Sequence, residues 1–219
     1  MENKNIIIIA VVVIVIVAIA GYIFATGMLN NEDNKNIETT PFKTAFMEGS
    51  FVGKVNLTDG KEKYMHSYQD KKHHITYNVS TVDNSSALMD IYYLQGVMNP
   101  EHRTINNIKW NIYFTQAVPE NGSSNETMNI IICQSQGEKQ GYIIYAIFDA
   151  KSDVNSTLNT FGESYTDYIE PLLESITLKK SSDVPKIYDE FGLSKSEFAQ
   201  QMDLIQEFKA GNTSALEGT

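Results

Sequence analysis

The chain has 219 residues, with 27 acidic side chains against 17 basic ones and a formal net charge of −10. That balance argues against a nucleic-acid partner, because binding phosphate needs clustered positive charge. Its single cysteine, Cys133, excludes an internal disulfide and reads as a buried free thiol, so the folded part must rely on an apolar core.

The first element follows the opening MENKN. From Ile6 to Leu29 no side chain is charged, in a run dominated by Ile, Val and Ala. As a helix, about 24 residues at 1.5 Å each cover the roughly 30 Å hydrocarbon core of a bilayer. The run is expected to be a transmembrane anchor with the lipid bilayer as its partner. The small residues of AIAG, Ala18 to Gly21, offer a rival reading, a signal cleaved after Ala20. Apolar sequence continues through Tyr22, Ile23, Phe24 and Ala25, which favours the uncleaved anchor. Lys4 precedes the run and Glu32 and Asp33 follow it, so residues 1–5 are expected in the cytoplasm and the rest outside. Residues 30–41, polar and rich in Asn, read as a tether.

Seven sequons fit export: Asn56, Asn78, Asn84, Asn121, Asn125, Asn155 and Asn212 each begin Asn-x-Ser/Thr without proline. They are candidate N-glycosylation sites, and their other reading is ordinary polar loops and strand faces.

Residues 42–180 form the expected extracytoplasmic domain. Phe51, Val55 and Leu57 share one face of a strand while Lys54 and Asn56 share the other. Ile75, Tyr77 and Val79 oppose Thr76, Asn78 and Ser80. Further on, Ile108, Trp110, Ile112 and Phe114 oppose Lys109, Asn111 and Thr115. MNIIICQ and YIIYAIF are apolar on both faces and are expected in the centre of the sheet, as a hairpin around SQGEKQG. Two segments change to a helical period. NSSALMDIYYLQG places Leu88, Ile91, Tyr92 and Gln95 on one side behind a cap at Asn84 or Ser85. A later stripe runs from about Leu158 through Phe161, Tyr165, Tyr168, Ile169, Leu172 and Leu173 to Ile176. Pro171 inside it cannot donate to the carbonyl of Asp167, so a kink or a break is expected there.

The resulting order is an α+β domain on an antiparallel sheet. The pair IKWNIYFTQ and GYIIYAIFDA, followed by the closing YIEPLLESITLKK, resembles the C-terminal half of the PsbP-like superfamily over residues 45–180. GSFVGKVNL stands where that family opens with an aromatic, proline and tryptophan. The resemblance implies an α/β/α sandwich and an accessory or binding role outside the cytoplasm, and brings no catalytic residue or cofactor. The Ile, Asn and Lys bias with a surface anchor is similar to exported proteins of methanogenic archaea.

Candidate chemistry is sparse. His66, His73 and His74 cluster with Asp70 in HSYQDKKHH, a possible zinc set, but the adjacent His73 and His74 should point to opposite faces; solvated strand and turn residues are the expectation. His102, in NPEHR, reads as a surface loop. The motifs of serine hydrolysis, phosphate binding and HExxH metalloproteases are missing. Glu163, Glu170 and Glu174 read as the wet face of the closing helix. Tyr92, Tyr93, Tyr142, Tyr145, Tyr165 and Tyr168 read as core and rim, with sugar or peptide contact as the functional alternative.

Residues 181–219 hold a helical hairpin. A first helix spans Pro185 to Phe191; Ser194 and Glu197 form a capping box for the second, which stops at Gly211. The hairpin looks like a DNA-binding module but is acidic. Its row of Phe198, Met202, Ile205 and Phe208 is expected to contact either the domain or a protein partner, and the polar KKSSDVP before it favours the partner. The function expected from the sequence is therefore a non-enzymatic, membrane-anchored extracytoplasmic binding or accessory protein. The alternatives are an envelope hydrolase with a dispersed site and a sensory module acting through a partner.

Overall fold

Central strands that are apolar on both faces need cover on both sides, and the computed structural model supplies it with three layers. It describes residues 38–59, 65–94, 97, 99–117, 127–136, 140–154 and 161–211. The expected anchor and most of the tether lie outside these residues. Among the described residues no helix is long and apolar enough to cross a membrane.

The middle layer is a seven-stranded sheet in the order β3 (Val55–Asp59), β4 (Met65–Asp70), β5 (Ile75–Val82), β9 (Gly141–Phe148), β8 (Met128–Ser135), β7 (Ile108–Ala117) and β6 (Glu101–Ile105). Every neighbouring pair is antiparallel. Two meanders, β3–β5 and β6–β9, join where β9 returns to β5. The two most apolar segments, β8 and β9, accordingly lie inside the sheet, as their pattern requires.

One face of this sheet packs on a small sheet of β1 (Thr39–Lys43), β2 (Met47–Val52) and β10 (Thr177–Leu178), and on the closing helix. That helix is a π-helical segment, Ser164–Ile169, followed by α2 (Glu170–Ser175), with Pro171 in the first turn of α2. The helix does not separate into two pieces at the proline; its pattern changes from π to α at Glu170, with helical backbone on both sides. Pro171 has no N–H to donate, and the preceding turn widens to the π pattern where that bond is missing. Glu163 and Glu174 are exposed and Glu170 is half-buried, so the carboxylates line the wet side.

The other face carries α1 (Ser86–Leu94), which crosses from β5 toward the β6 edge, and the C-terminal hairpin of α3 (Ile187–Glu190) and α4 (Lys195–Lys209). The capping box is formed, with the Glu197 N–H donating to Ser194 Oγ at 3.3 Å and the Ser194 N–H to Glu197 Oε2 at 2.8 Å. The Ser194 side chain, and after it the Ser194 N–H, hold the Glu197 carboxyl below its ordinary range. The hairpin is not held away from the domain: Phe198 (8% exposed) and Ile205 (4%) are buried in the same cluster as α1, with Met202 packed against them and Phe208 half-buried. Polar contacts explain why KKSSDVP does not keep it detached. Asp83 accepts from the Ile187 N–H at 2.8 Å and pairs with Lys186 at 2.9 Å, while Asp90 on α1 accepts from Gln206 at 2.8 Å and pairs with Lys209. Of the row expected to await a partner, Phe198, Met202 and Ile205 therefore face the domain instead.

Two further expectations change. Phe51, Val55 and Leu57 do not share a continuous strand, because Gly53, at φ +90°, ends β2 and passes the chain to the large sheet. Leu57 is 56% exposed on the edge strand as a result. On β5, Thr76, Asn78 and Ser80 are buried like their apolar neighbours, since both faces are covered. Asn78, 2% exposed and accepting from Ser67 Oγ, is not offered to a glycosylating enzyme by the folded domain. Asn56 and Asn84 are exposed; Asn121, Asn125, Asn155 and Asn212 lie outside the described residues.

Candidate functional site

Among the described residues, two places where a histidine meets buried polar side chains stand out. The first is the turn after β4. Asp70 is fully buried there, and Oδ1 accepts from the Lys72 N–H at 2.9 Å and the His73 N–H at 3.1 Å. His73 Nδ1 lies 2.7 Å from Oδ2, and the imidazole meets the edge of the Tyr168 ring. Ser152 Oγ donates to the His73 carbonyl at 2.6 Å. Gly53 closes the corner, since a Cβ there would lie 2.9 Å from Asp70 Oδ2. Burial, then the Asp70 charge, pushes the Tyr168 hydroxyl up to about 12, and the buried Tyr77 hydroxyl rises for the same two reasons. Asp70 and His73 are therefore not the solvated turn residues expected. His74 is exposed, and His66 sits at the far end of β4, about 13 Å of strand from Asp70, so the three histidines do not converge. Among the described residues no group of three metal-binding side chains forms.

The second place is an open groove of about 520 Å³ lined by Ser85, Ser86, Met89, His102, Asn111, Gln134, Ser135 and Gln136. The first turn of α1 forms one wall. It lies against the start of β9 because residue 141 is glycine, and a Cβ there would overlap the Ser85 Cβ at 1.9 Å. The floor comes from sheet register: His102 is opposite Asn111 and Asn111 opposite Gln134, so three polar side chains from β6, β7 and β8 share one face. His102, expected in a loop, is on the edge strand.

The bonding in the groove is ordered. Gln136 Nε2 donates to Asn111 Oδ1 at 2.6 Å, and His102 Nδ1 lies 2.9 Å from the same oxygen. An amide oxygen only accepts, so Nδ1 carries a proton, and Nε2 is the ring nitrogen that does not face Asn111. The 3.1 Å approach of Gln136 Nε2 to Nδ1 is then a contact between donors, not a bond. Gln134 Nε2 donates to the Ser85 carbonyl at 2.7 Å, while its Oε1, buried, reaches no donor. Asn111 Nδ2 has only the Met89 sulfur, at 3.6 Å. A second recess of about 340 Å³ continues from His102 and Gln136 along Thr104 and Lys109.

Sequence reasoning missed Ser85, Met89, Asn111, Gln134 and Gln136. A signal existed in the single amides that interrupt KWNIY and IIICQS, but their adjacency depends on register. Tyr92, Tyr142, Tyr145 and Tyr165 stay out of the groove: the Tyr92 and Tyr145 hydroxyls bond each other at 2.8 Å, Tyr142 donates to the Lys179 carbonyl, and Tyr165 is in the core. Cys133 is buried, which raises its thiol well above the ordinary range and fits the inert role expected.

No family model matches the chain, and no curated protein matches it. Among solved structures, a Bacteroides thetaiotaomicron crystal structure at 1.50 Å resolution matches with 6% identity and a TM-score of 0.42. The match covers 63% of this chain and 46% of that one, so this chain spans under half of its length. At that score the likeness carries no argument about fold or role.

Proposed function

We propose that this protein is a single-pass, membrane-anchored binding or accessory module with its domain outside the cytoplasm, holding a ligand without converting it. One observation carries the binding part: the groove at the end of the sheet is lined by neutral amides, hydroxyls, a thioether and one imidazole. Such a set offers donors and acceptors in fixed places and suits recognition of an uncharged polar molecule. The anchor and the outward orientation rest on the uncharged run from Ile6 to Leu29 and its flanks. The three layers are of the kind that the PsbP-like resemblance implies, and that assignment belongs to the same reading, as does glycosylation at the exposed sequons. The full chain in its native membrane is expected to be cut by protease added to intact cells, and to retain envelope polymer when solubilised in detergent. Protection in intact cells, with cutting only after lysis, would reverse the orientation.

The alternative, an envelope hydrolase, draws on the imidazole held by buried Asp70. Among the described residues no hydroxyl, thiol or carboxylate bonds the other ring nitrogen of His73, so the pair has no nucleophile to activate. Hydrolysis of an envelope polymer by the wild type that is lost in His73→Gln would move the function to that corner.

A further inference from the structure

An open sheet ends in two edges, and each edge strand has a side on which its backbone N–H and C=O groups are not paired within the sheet. Among the described residues nothing pairs with the outer side of β3 or of β6. The two edges differ. On β3 the register shifts between Leu57 and Asp59, an irregularity that blunts an edge. β6 pairs with β7 at five consecutive positions without a shift, and Glu101, His102, Arg103 and Thr104 are all exposed. Glu101 and Arg103, two positions apart, share the face that carries α2, where the Arg103 guanidinium lies 4.2 Å from the centre of the Phe161 ring. Neither makes an ion pair with a described residue. His102 and Thr104 share the groove face.

We infer that β6 is the pairing edge for a second copy of this chain, antiparallel and centred on His102. Charges on an edge usually keep other strands away, but two signs two positions apart repel in some registers and attract in another. Antiparallel pairing of an edge with its own copy has a two-fold axis normal to the sheet, so each face meets the same face and only alternate registers exist. Centred on Glu101, the pairing sets carboxylate opposite carboxylate. Centred on Arg103, it sets guanidinium opposite guanidinium. Centred on His102, it sets Glu101 of each copy opposite Arg103 of the other, twice over. The same axis keeps both small sheets, and so both copies of β1, on one side of the joined sheet. Two chains tethered before β1 can then enter one membrane, a second argument that rests on the anchor reading whereas the charge pattern does not. Because His102 lines the groove and sits on the axis, the grooves of the two copies adjoin and give a polymer a longer surface.

Sedimentation of the full chain in detergent, over a range of protein concentrations, tests the pairing, and the wild type should form a dimer. Glu101→Arg and Arg103→Glu each set like charges opposite one another at both ends of the contact, and each should weaken self-association about tenfold. Mixed together, the two variants are complementary and should associate at least about tenfold more tightly than either does with itself. That regain is an outcome a misfolded variant cannot mimic, and it discounts the loss of the Phe161 contact in Arg103→Glu. Register is read by oxidation. His102→Cys brings two thiols directly opposite, about 5 Å apart at Cα, and should give a disulfide-linked dimer, whereas Arg103→Cys leaves them too far apart. A wild type that stays monomeric, or a dimer that ignores both charge variants because it forms through the anchor, would overturn the inference. So would a mixture that shows no regain, or a disulfide in Arg103→Cys and none in His102→Cys.

Discussion

The Asp70 corner and the Asn111–Gln134 groove are built from similar parts, a histidine and a buried side-chain oxygen, at opposite ends of the same sheet, yet their bonding is opposite. At Asp70 the carboxylate has three donors, two from backbone and one from His73, and Gly53 leaves no room beside it. At Gln134 the oxygen has none and the neighbouring donor is underused. A saturated buried group fixes the chain, whereas an unsaturated one bordering an open groove can still be matched by something else. The difference makes the corner a stabilising element and leaves the groove as the proposed recognition site, although the sequence makes HSYQDKKHH look like the chemical site.

The largest expected effect tests the corner. Asp70→Ala strands two backbone N–H groups and the imidazole, and should cost about 4 kcal/mol, seen as a fall in denaturation midpoint. A loss under about 1 kcal/mol would remove the contrast with the groove. Next, Phe198→Asp combined with Ile205→Asp should cost about 3 kcal/mol by prising α4 off α1. It should weaken ligand binding at the α1 wall while leaving amide protection in the Asp70 turn intact. Unchanged stability would mean the hairpin does not brace the groove. Gly53→Ala should cost about 2 kcal/mol, through the strained positive φ and the contact with Asp70. Gln134→Met should stay within about 1 kcal/mol, because the lost bond to Ser85 is offset by removing a buried acceptor without a partner. That small change, set beside Asp70→Ala, is the sharpest test of which site is structural.

The smallest effect is in pH. Lys179, 2.6 Å from Glu48, holds that carboxyl below its ordinary range, as Ser194 does for Glu197. Folded values lower than unfolded ones mean that this stability is present above the unfolded pKa and is lost as pH falls through the folded values. Thermal melts should therefore show a slight loss on acidification, tying β10 to β2 and α4 to its cap. Both carboxylates are exposed, so the shift should be small and should shrink further in high salt.

Much of the architecture was legible because it follows from short-range rules. Period two marked β5 and β7, double apolar faces put β8 and β9 inside the sheet, Pro171 marked the change of helical pattern, and Ser194 with Glu197 marked the start of α4. The capping residues, the proline and the side-chain period act within a few positions, so the sequence by itself determined them. The groove was not legible in this way. Asn111 and Gln134 are neighbours only because β7 and β8 pair in one register, and a slip of one residue would send Gln134 to the opposite face. Gly141 matters only because α1 folds back onto β9. Asp70 is buried rather than solvated because β2 turns at Gly53 beside it. The hairpin docks because Asp83 and Asp90, far away in sequence, supply its polar anchors. Each of these contacts joins residues tens of positions apart or more, or two separate elements. Its energy exists only once the chain has closed, so tertiary structure alone decided it.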